Sequence, residues 1–277
     1  MILERQEKLS LACLPYNNFM QLRVLNVVYL GRVDYATALD LQQTLVHLVK
    51  EGRIGHTLLL LEHPPVITLG RNAAEQNIVA SRDVLVSNGI ELHETDRGGD
   101  VTFHGPGQLV GYPIFDLRGF TPRIGAVEFV RKIEEALIRA CGDLGIVTQR
   151  VPGMTGVWTQ EGAKIAAIGV HISRAVTSHG FALNVNTDLD YFKLIVPCGI
   201  ADKPVTSLER ELSRASRKLP SLEETAELVS RHFGRVFEAQ TLWLESLDAL
   251  LASPQDTPAR APEELRRMVS EEDIYLA

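Results

Sequence analysis

The sequence has few cysteines for its 277 residues, and their arrangement argues against two classes of protein. Cys13, Cys141 and Cys198 are an odd number of thiols with no metal-type spacing. We therefore expect neither a disulfide framework nor a cysteine metal site, and a reducing compartment is favoured. The sequence predicts a protein that works without a metal or another cofactor.

Long apolar runs and an excess of positive charge are also missing. The longest apolar runs, such as 58–61 and 165–170, are far below the roughly 20 residues of a membrane span. The formal net charge of −7 argues against general binding to nucleic acid or to anionic membranes. Glu4 and Glu7 stand where a signal peptide would carry positive charge. We expect a soluble, cytoplasmic protein with no nucleic-acid and no membrane partner.

Apolar residues make up 45% of the chain, which is enough to bury a large core. Strand-like segments are predicted at 23–30, 56–62, 66–69, 90–94, 108–115, 164–173 and 180–186. Most of them follow one another in hairpin-like succession on either side of one long helix, which predicts an α+β fold. Composition divides the chain into an N-terminal extension at 1–22, a main domain at 23–240, and a C-terminal extension at 241–277 with a proline-rich linker and a short helix.

Three helix starts can be predicted from capping residues. Asp34 is placed to cap a helix that ends near Gly52. Thr121-Pro122 is predicted to begin a long amphipathic helix, with Val127 and Ile133 on its apolar face. Ser221, three residues before a glutamate, has the pattern of a capping box.

A glycine-rich stretch at 96–112 interrupts sequence that otherwise resembles strands. Glycine in such a position commonly marks a place where a ligand or another backbone approaches closely. Arg97-Gly98-Gly99 fits neither the dinucleotide-binding pattern nor a P-loop. Backbone contact with an extended, uncharged ligand suits the stretch better than a phosphate cradle.

Cys198 is the sharpest candidate for a reactive side chain. It lies between Pro197 and Gly199 in a predicted loop, whereas Cys13 is in the N-terminal extension and Cys141 is on the apolar face of a helix. A small buried residue is the common role of a cysteine, and that alternative stays open. A nucleophilic thiol must be a thiolate, so it needs a base or a cation nearby.

Lys164 could supply that base, because it opens an otherwise apolar strand and lysine at such an edge can be desolvated. A solvated lysine at a strand end is the simpler interpretation. His104 and His171 are competing bases. His104, between Phe103 and Gly105, is the more plausible of the two as part of a pocket.

Four segments together resemble the lipoyl(octanoyl) transferase family, the octanoyl-[acyl-carrier-protein]:protein N-octanoyltransferases. They are Arg97-Gly-Gly-Asp-Val-Thr-Phe-His104 with the following Gly-Pro-Gly-Gln108 and Tyr112, Glu62-His-Pro-Pro-Val-Ile-Thr-Leu-Gly70, Lys164-Ile-Ala-Ala-Ile-Gly169, and Pro197-Cys-Gly199. The resemblance extends from about residue 24 to residue 237 in family order, and includes Gly180-Phe181-Ala182 and Asn184.

The resemblance implies a fold like the catalytic domain of biotin and lipoate protein ligases, a mixed sheet flanked by helices. It implies transfer of an octanoyl or lipoyl group through a thioester on Cys198, with Lys164 as the activating residue. The substrate-binding residues that it implies are Arg97, Gly98, Gly99, Asp100, Val101, Thr102, Phe103, His104, Ala167, Ile168, Gly169, Gly180, Phe181 and Ala182. Val101, Phe103, Ile168 and Phe181 are the residues expected to wall an eight-carbon chain.

The resemblance also implies protein partners. The donor is octanoyl-acyl-carrier protein, and the acceptors are lipoyl domains of 2-oxoacid dehydrogenase complexes and the glycine-cleavage H protein. Because both kinds of partner are expected to be acidic, Arg71, Arg97, Arg150 and Arg174 are predicted to form a basic rim. Two alternatives remain: an ATP-dependent lipoate-protein ligase, and a non-catalytic module that binds acyl-carrier protein or lipoyl domains.

Overall fold

The computed structural model describes residues 23–196 and 203–252. The strands are β1 Arg23–Arg32, β2 Thr57–Glu62, β3 Val66–Leu69, β4 Glu91–Glu94, β5 Val101–His104, β6 Gln108–Ile114, β7 Thr148–Val151, β8 Met154–Thr159, β9 Lys164–Ser173, β10 Val176–Asn184 and β11 Ala239–Leu244. The helices are α1 Tyr35–Lys50, α2 Arg82–Ser87, α3 Ala126–Asp143, α4 Leu208–Arg214, α5 Leu222–Phe237 and α6 Leu247–Ala252.

A mixed sheet with the order β11-β1-β2-β6-β10-β9-β8-β7 runs through the described part of the chain. β1 pairs in parallel with β2 and β11, and the other neighbours are antiparallel. A smaller sheet has the order β4-β3-β5. The predicted α+β fold, a mixed sheet flanked by helices, is thus confirmed.

The central strand β2 shows why the large sheet is covered on both faces. Its four consecutive leucines, residues 58–61, are all fully buried. Leu58 and Leu60 pack in the cluster that contains α3 and α5, whereas Leu59 and Leu61 pack in the cluster that contains α1. Because successive side chains in a strand point to opposite faces, a continuous apolar run is what a doubly covered strand requires.

Two of the predicted helix starts are confirmed by their caps. The Asp34 side chain accepts a hydrogen bond from the backbone N–H of Thr37. Ser221 and Glu224 form a reciprocal capping box at the start of α5. Each cap pairs backbone N–H groups that have no partner within the helix.

The predicted start of α3 at Thr121-Pro122 is wrong. The cap is Gly125, and the helix begins one residue later. Its buried face is set by Phe129, Ile133 and Leu137, which recur every four residues, so Val127 lies on the other side with 75% of its surface exposed. Residues 120–125 form a loop, from which Phe120 and Ile124 enter the core before the helix begins.

β11 lies across the predicted boundary at residues 240 and 241 and extends the large sheet beside β1. The extension at 1–22 and the short helix predicted near residues 263–270 lie outside the described residues. Within the described parts of the chain, no helix is long and apolar enough to cross a membrane.

Candidate active site

A cavity opens between the glycine-rich loop before β5 and the β9–β10 hairpin, and we call it the central cavity. Its volume is about 50 Å³. The lining residues are Tyr35, Arg97, Gly98, Gly99, Asp100, Thr102, His104, Val110, Tyr112, Ala167, Ile168, Gly169, His179, Gly180, Phe181 and Ala182. The structure therefore brings together every predicted substrate-binding residue except Val101 and Phe103. It adds Tyr35, Val110 and His179, which sequence reasoning missed, and Tyr112, which the sequence places in the family motif without a binding role.

Val101 and Phe103 do not line the central cavity, contrary to the expectation that they wall it. Both belong to the small core between the three-stranded sheet and residues 189–195. The Phe103 ring stacks on Tyr191 with the ring centroids 4.7 Å apart. Because side chains alternate along β5, Thr102 and His104 face the cavity when Val101 and Phe103 face that core.

The loop at 97–99 lies directly against the backbone of β9. The N–H of Gly98 donates to the carbonyl of Val170 at 3.0 Å. A Cβ added at Gly169 would lie 2.5 Å from the Gly98 oxygen, so no larger residue fits without displacement of the loop. Glycine at these positions therefore allows two backbones to form one wall of the cavity.

Arg97 holds this loop from inside and is only 7% exposed. Its guanidinium donates to the carbonyl and the hydroxyl of Thr68 and to the carbonyl of Asp100. The Asp100 carboxylate accepts from Asn77 Nδ2 at 2.5 Å. Arg97 is thus a buried clamp and not part of a surface rim.

A chain of hydrogen bonds runs from His104 to Thr206. Asn184 Nδ2 donates to the Thr206 carbonyl at 2.9 Å, Gln108 Nε2 donates to Asn184 Oδ1 at 2.9 Å, and His104 Nδ1 lies 2.8 Å from Gln108 Oε1. The Thr206 carbonyl can only accept, which orients the Asn184 amide so that its Oδ1 accepts from Gln108. The Gln108 amide is then oriented so that its Oε1 faces His104, and His104 must carry its proton on Nδ1. Burial lowers the pKa of His104 to about 3, so the ring is neutral and Nε2 is an acceptor.

Tyr112 and His63 form a second neutral pair at the cavity wall. His63 Nδ1 donates to the carbonyl of Val33, and its Nε2 accepts from the Tyr112 hydroxyl, each at 2.7 Å. Burial lowers the pKa of His63 to about 4 and raises the pKa of Tyr112 well above its usual value. This side of the cavity is therefore polar without carrying charge, which suits an uncharged ligand.

Lys164 is the first residue of β9 and is 8% exposed. Its Nζ lies 4.9 Å from the centroid of the Trp158 ring. Gly156 faces its stem, since an added Cβ there would lie 3.0 Å from Lys164 Cε. Lys164 does not line the central cavity itself; it precedes Ala167, the first cavity residue of β9, by three positions.

Cys198 lies outside the described residues, but the described residues on either side of it are anchored. The N–H of Val196 donates to the carbonyl of Asn77 at 2.7 Å. On the other side, the N–H of Lys164 donates to the carbonyl of Pro204, and the N–H of Thr206 donates to the carbonyl of Lys164. The last described residue before Cys198 is thus bonded to Asn77, and two of the described residues that follow it are bonded to Lys164.

The two candidate histidine bases lie in different places. His104 lines the central cavity, whereas His171 is hydrogen-bonded to the Asp96 carbonyl and lines another cavity. Cys141 is buried in α3, where burial raises the pKa of its thiol to about 12. Among residues 23–196 and 203–252, no group of three or more histidine, cysteine and acidic side chains could hold a metal ion.

The fold and the order of these segments match known proteins. Residues 34–234 match the family described as the lipoyl protein ligase A/B catalytic domain. A bipartite lipoate protein ligase from Thermoplasma acidophilum superposes with a TM-score of 0.64 at 16% identity, over 82% of this chain and 89% of the other. A lipoate-protein ligase A bound with ATP gives 0.61 at 17% identity, over 84% and 93% of the two chains. The family match therefore assigns the chain to the lipoyl protein ligase A/B catalytic-domain class, and the superpositions show that the fold is shared.

Curated relatives define the branch within that class. The octanoyltransferase of Koribacter versatilis is 66% identical over 91% of this chain and 100% of its own length. The octanoyltransferase of Acidobacterium capsulatum is 59% identical over 82% and 96% of the two chains. The chain belongs to the octanoyltransferase family, which confirms the family predicted from the sequence.

Proposed function

We propose that this protein is an acyltransferase that moves an octanoyl group from acyl-carrier protein to a lysine of a lipoyl domain, in the course of protein lipoylation. The family membership supports octanoyl transfer. The observation that carries the proposal is that β9 contains both Lys164 and three residues of the central cavity, while the described residues on either side of 197–202 are hydrogen-bonded to Lys164 and to Asn77, which contacts the cavity residue Asp100.

The lining of the central cavity is chemically suited to an acyl chain. Ile168, Phe181 and Val110 give it apolar walls, and backbone at Gly98 and Gly169 lets a thin chain approach closely. The tyrosine and histidine side chains at its wall are held neutral by burial. These neutral side chains therefore add no desolvation cost of a charge when an acyl chain enters beside them.

The proposed reaction uses the thiol of Cys198 and the amine of Lys164. The Cys198 thiolate attacks the thioester carbon of the donor, the new S–C bond forms, and the carrier leaves as a thiol after it takes up a proton. The neutral lysine amine of the acceptor then attacks the acyl-enzyme and expels the Cys198 thiolate, and an amide results. Lys164 holds the thiolate as an ammonium and relays the protons between the two steps.

Acceptors of this reaction are lipoyl domains of 2-oxoacid dehydrogenase complexes and the glycine-cleavage H protein, in the cytoplasm. Of the predicted basic rim, Arg71 and Arg174 are exposed, but Arg97 is buried and Arg150 is held by Glu134 and Glu135. A basic docking surface for acidic partners would therefore depend on Arg71 and Arg174.

The alternatives share the fold, so the fold does not separate them. An ATP-dependent lipoate-protein ligase activates the free acid as an adenylate and does not need Cys198. A non-catalytic module that binds carrier protein or lipoyl domains needs neither Cys198 nor Lys164. A covalent octanoyl adduct formed without ATP is expected of the transferase alone.

The test is incubation of the full chain with octanoyl-acyl-carrier protein in the absence of ATP, followed by intact mass. We expect one octanoyl adduct that hydroxylamine removes, its loss in Cys198→Ala, and its persistence in Cys141→Ala, because the buried Cys141 thiol is not ionised. An adduct that survives Cys198→Ala would overturn the mechanism. No adduct without ATP would favour the ligase or the binding module.

A further inference from the structure

His179 lines both the central cavity and a second, larger cavity, which we call the outer cavity. The outer cavity has a volume of about 270 Å³ and opens to solvent. Its lining residues are Leu39, Gln42, Gln43, Val46, Lys50, Asp96, His171, Ser173, Ser178 and His179. His179 is the residue that lines both cavities among those described.

The two cavities follow each other along the β9–β10 ladder. Lys164 opens β9, and the paired residues beyond it that line the central cavity are Ala167 with Ala182, Ile168 with Phe181 and Gly169 with Gly180. The next pair is Val170 with His179, and His171 with Ser178 then lines the outer cavity. The order from Lys164 is therefore central cavity, His179 and outer cavity.

His179 is fixed in this position by several contacts. Its Nε2 donates to Asp96 Oδ1 at 2.7 Å, and its backbone N–H donates to Gln42 Oε1 at 2.7 Å. The residue is 3% exposed, and its φ of 54° lies in the left-handed region that non-glycine residues rarely adopt. Such a conformation persists only where the surroundings impose it, and it is concentrated at functional positions. The ring and the backbone of His179 are thus each held by a hydrogen bond.

We propose that His179 is the end wall that limits the length of the acyl chain. This inference rests on the proposed octanoyl transfer, with the thioester at the Lys164 end of the central cavity. An acyl chain that enters from that end extends along β9 and meets the His179 ring. Additional methylenes would have to displace an imidazole whose hydrogen bond to Asp96 is already made, and a displaced buried group would lose its partner.

Removal of the His179 side chain would give a longer acyl chain space in the outer cavity. Beyond His179, Leu39 and Val46 contribute apolar surface to the outer cavity. His179→Gly removes the ring and also removes the backbone strain of the positive φ, since glycine adopts that conformation without strain. His179→Asn is a milder variant that shortens the side chain, and asparagine tolerates the left-handed region better than most residues.

The experiment measures the length preference in two ways. Binding of free octanoate, decanoate and dodecanoate to the full chain is followed by thermal shift and calorimetry. Acylation by carrier-bound chains of the same lengths is followed by intact mass. In His179→Gly we expect the preference for dodecanoate over octanoate to rise at least about tenfold, since each newly buried methylene is worth a factor of about four in affinity. His179→Asn should shift the preference in the same direction by less.

His171→Ala is the matched control, because that histidine also lies against Asp96 and lines the outer cavity but not the central one. Its length preference should equal that of the unmodified protein. A folded His179→Gly or His179→Asn with an unchanged preference, or a shift of equal size in His171→Ala, would overturn the proposal. If free acids bind with the expected length dependence but no acyl-enzyme forms, the end wall stands and the transfer mechanism fails.

Discussion

The Glu134 carboxylate is completely buried and accepts a hydrogen bond from the backbone N–H of Gly156 at 3.1 Å. Its other oxygen is bound by Arg131 and Arg150, at 2.6 and 3.0 Å. Gly156 faces the stem of Lys164. Two partly exposed arginines are thus connected, through one buried acid, to the backbone beside the proposed catalytic lysine.

Glu134→Gln should destabilise the fold and slow acylation. The substitution keeps the shape but leaves two arginines facing an uncharged amide, so we expect a loss of about 2–4 kcal/mol in the free energy of unfolding. Urea denaturation measures this loss. Glu135→Gln is the control, since that carboxylate is partly exposed and pairs of this kind contribute about 1 kcal/mol or less. Equal losses in the two variants would contradict the assigned role of Glu134.

Lys164→Met should slow formation of the acyl-enzyme by a factor of about 10²–10⁴, the usual contribution of a positioned acid or base. Methionine keeps most of the stem that packs against Trp158 and Gly156, so the melting temperature should change little. Single-turnover mass spectrometry gives the rate. Lys132→Met, which removes a lysine near the Phe237 ring, is the matched control and should acylate normally. A normal rate in Lys164→Met would exclude it as the activating residue.

Asn184→Asp should break the hydrogen-bond chain between His104 and Thr206. Aspartate has nearly the same shape but cannot donate to the Thr206 carbonyl. That buried carbonyl is left without this donor, so we expect the free energy of unfolding to fall by about 1–3 kcal/mol. Since Thr206 also pairs with Lys164, acylation should slow as well. Gln149→Ala, which loses a long 3.4 Å contact from an exposed amide to a carbonyl, should change stability by less than about 0.5 kcal/mol. Stability of Asn184→Asp equal to that of the unmodified protein would show that the chain of bonds has no energetic importance.

The free energy of unfolding should fall as the pH is lowered from about 6.5 to 5. The pKa values of His63 and His104 in the folded protein are about 4 and about 3, whereas an unfolded histidine titrates near 6.5. Only the unfolded state takes up these protons in that range, so stability is complete above pH 6.5 and decreases by about 2 kcal/mol per ring by pH 5. Urea titrations at several pH values measure the decrease, and ring-nitrogen NMR should show both histidines neutral with the proton on Nδ1. A ring that protonates near pH 6.5 in the folded protein would contradict this.

Much of the local structure could be predicted from short-range patterns. Asp34 and Ser221 mark their helices because a capping side chain acts within three residues of itself. The start of α3 was predicted wrongly because Thr121 and Pro122 have the chemistry of a helix start, whereas the burial of Phe120 and Ile124 places the helix later. That burial depends on distant elements, which a local pattern does not report.

The sequence by itself determined the family, the cavity segments around Arg97, Ile168 and Phe181, and the candidate pair of Cys198 and Lys164, since these are carried by contiguous motifs. Only the tertiary structure decided which side chains enter the cavity. It directed Phe103 into a separate core, brought Glu134 into hydrogen-bond contact with Gly156, and made His179 part of the lining of two cavities. The physical reason is that strand register and the packing of distant segments fix the direction of each side chain, and neither is encoded within one motif.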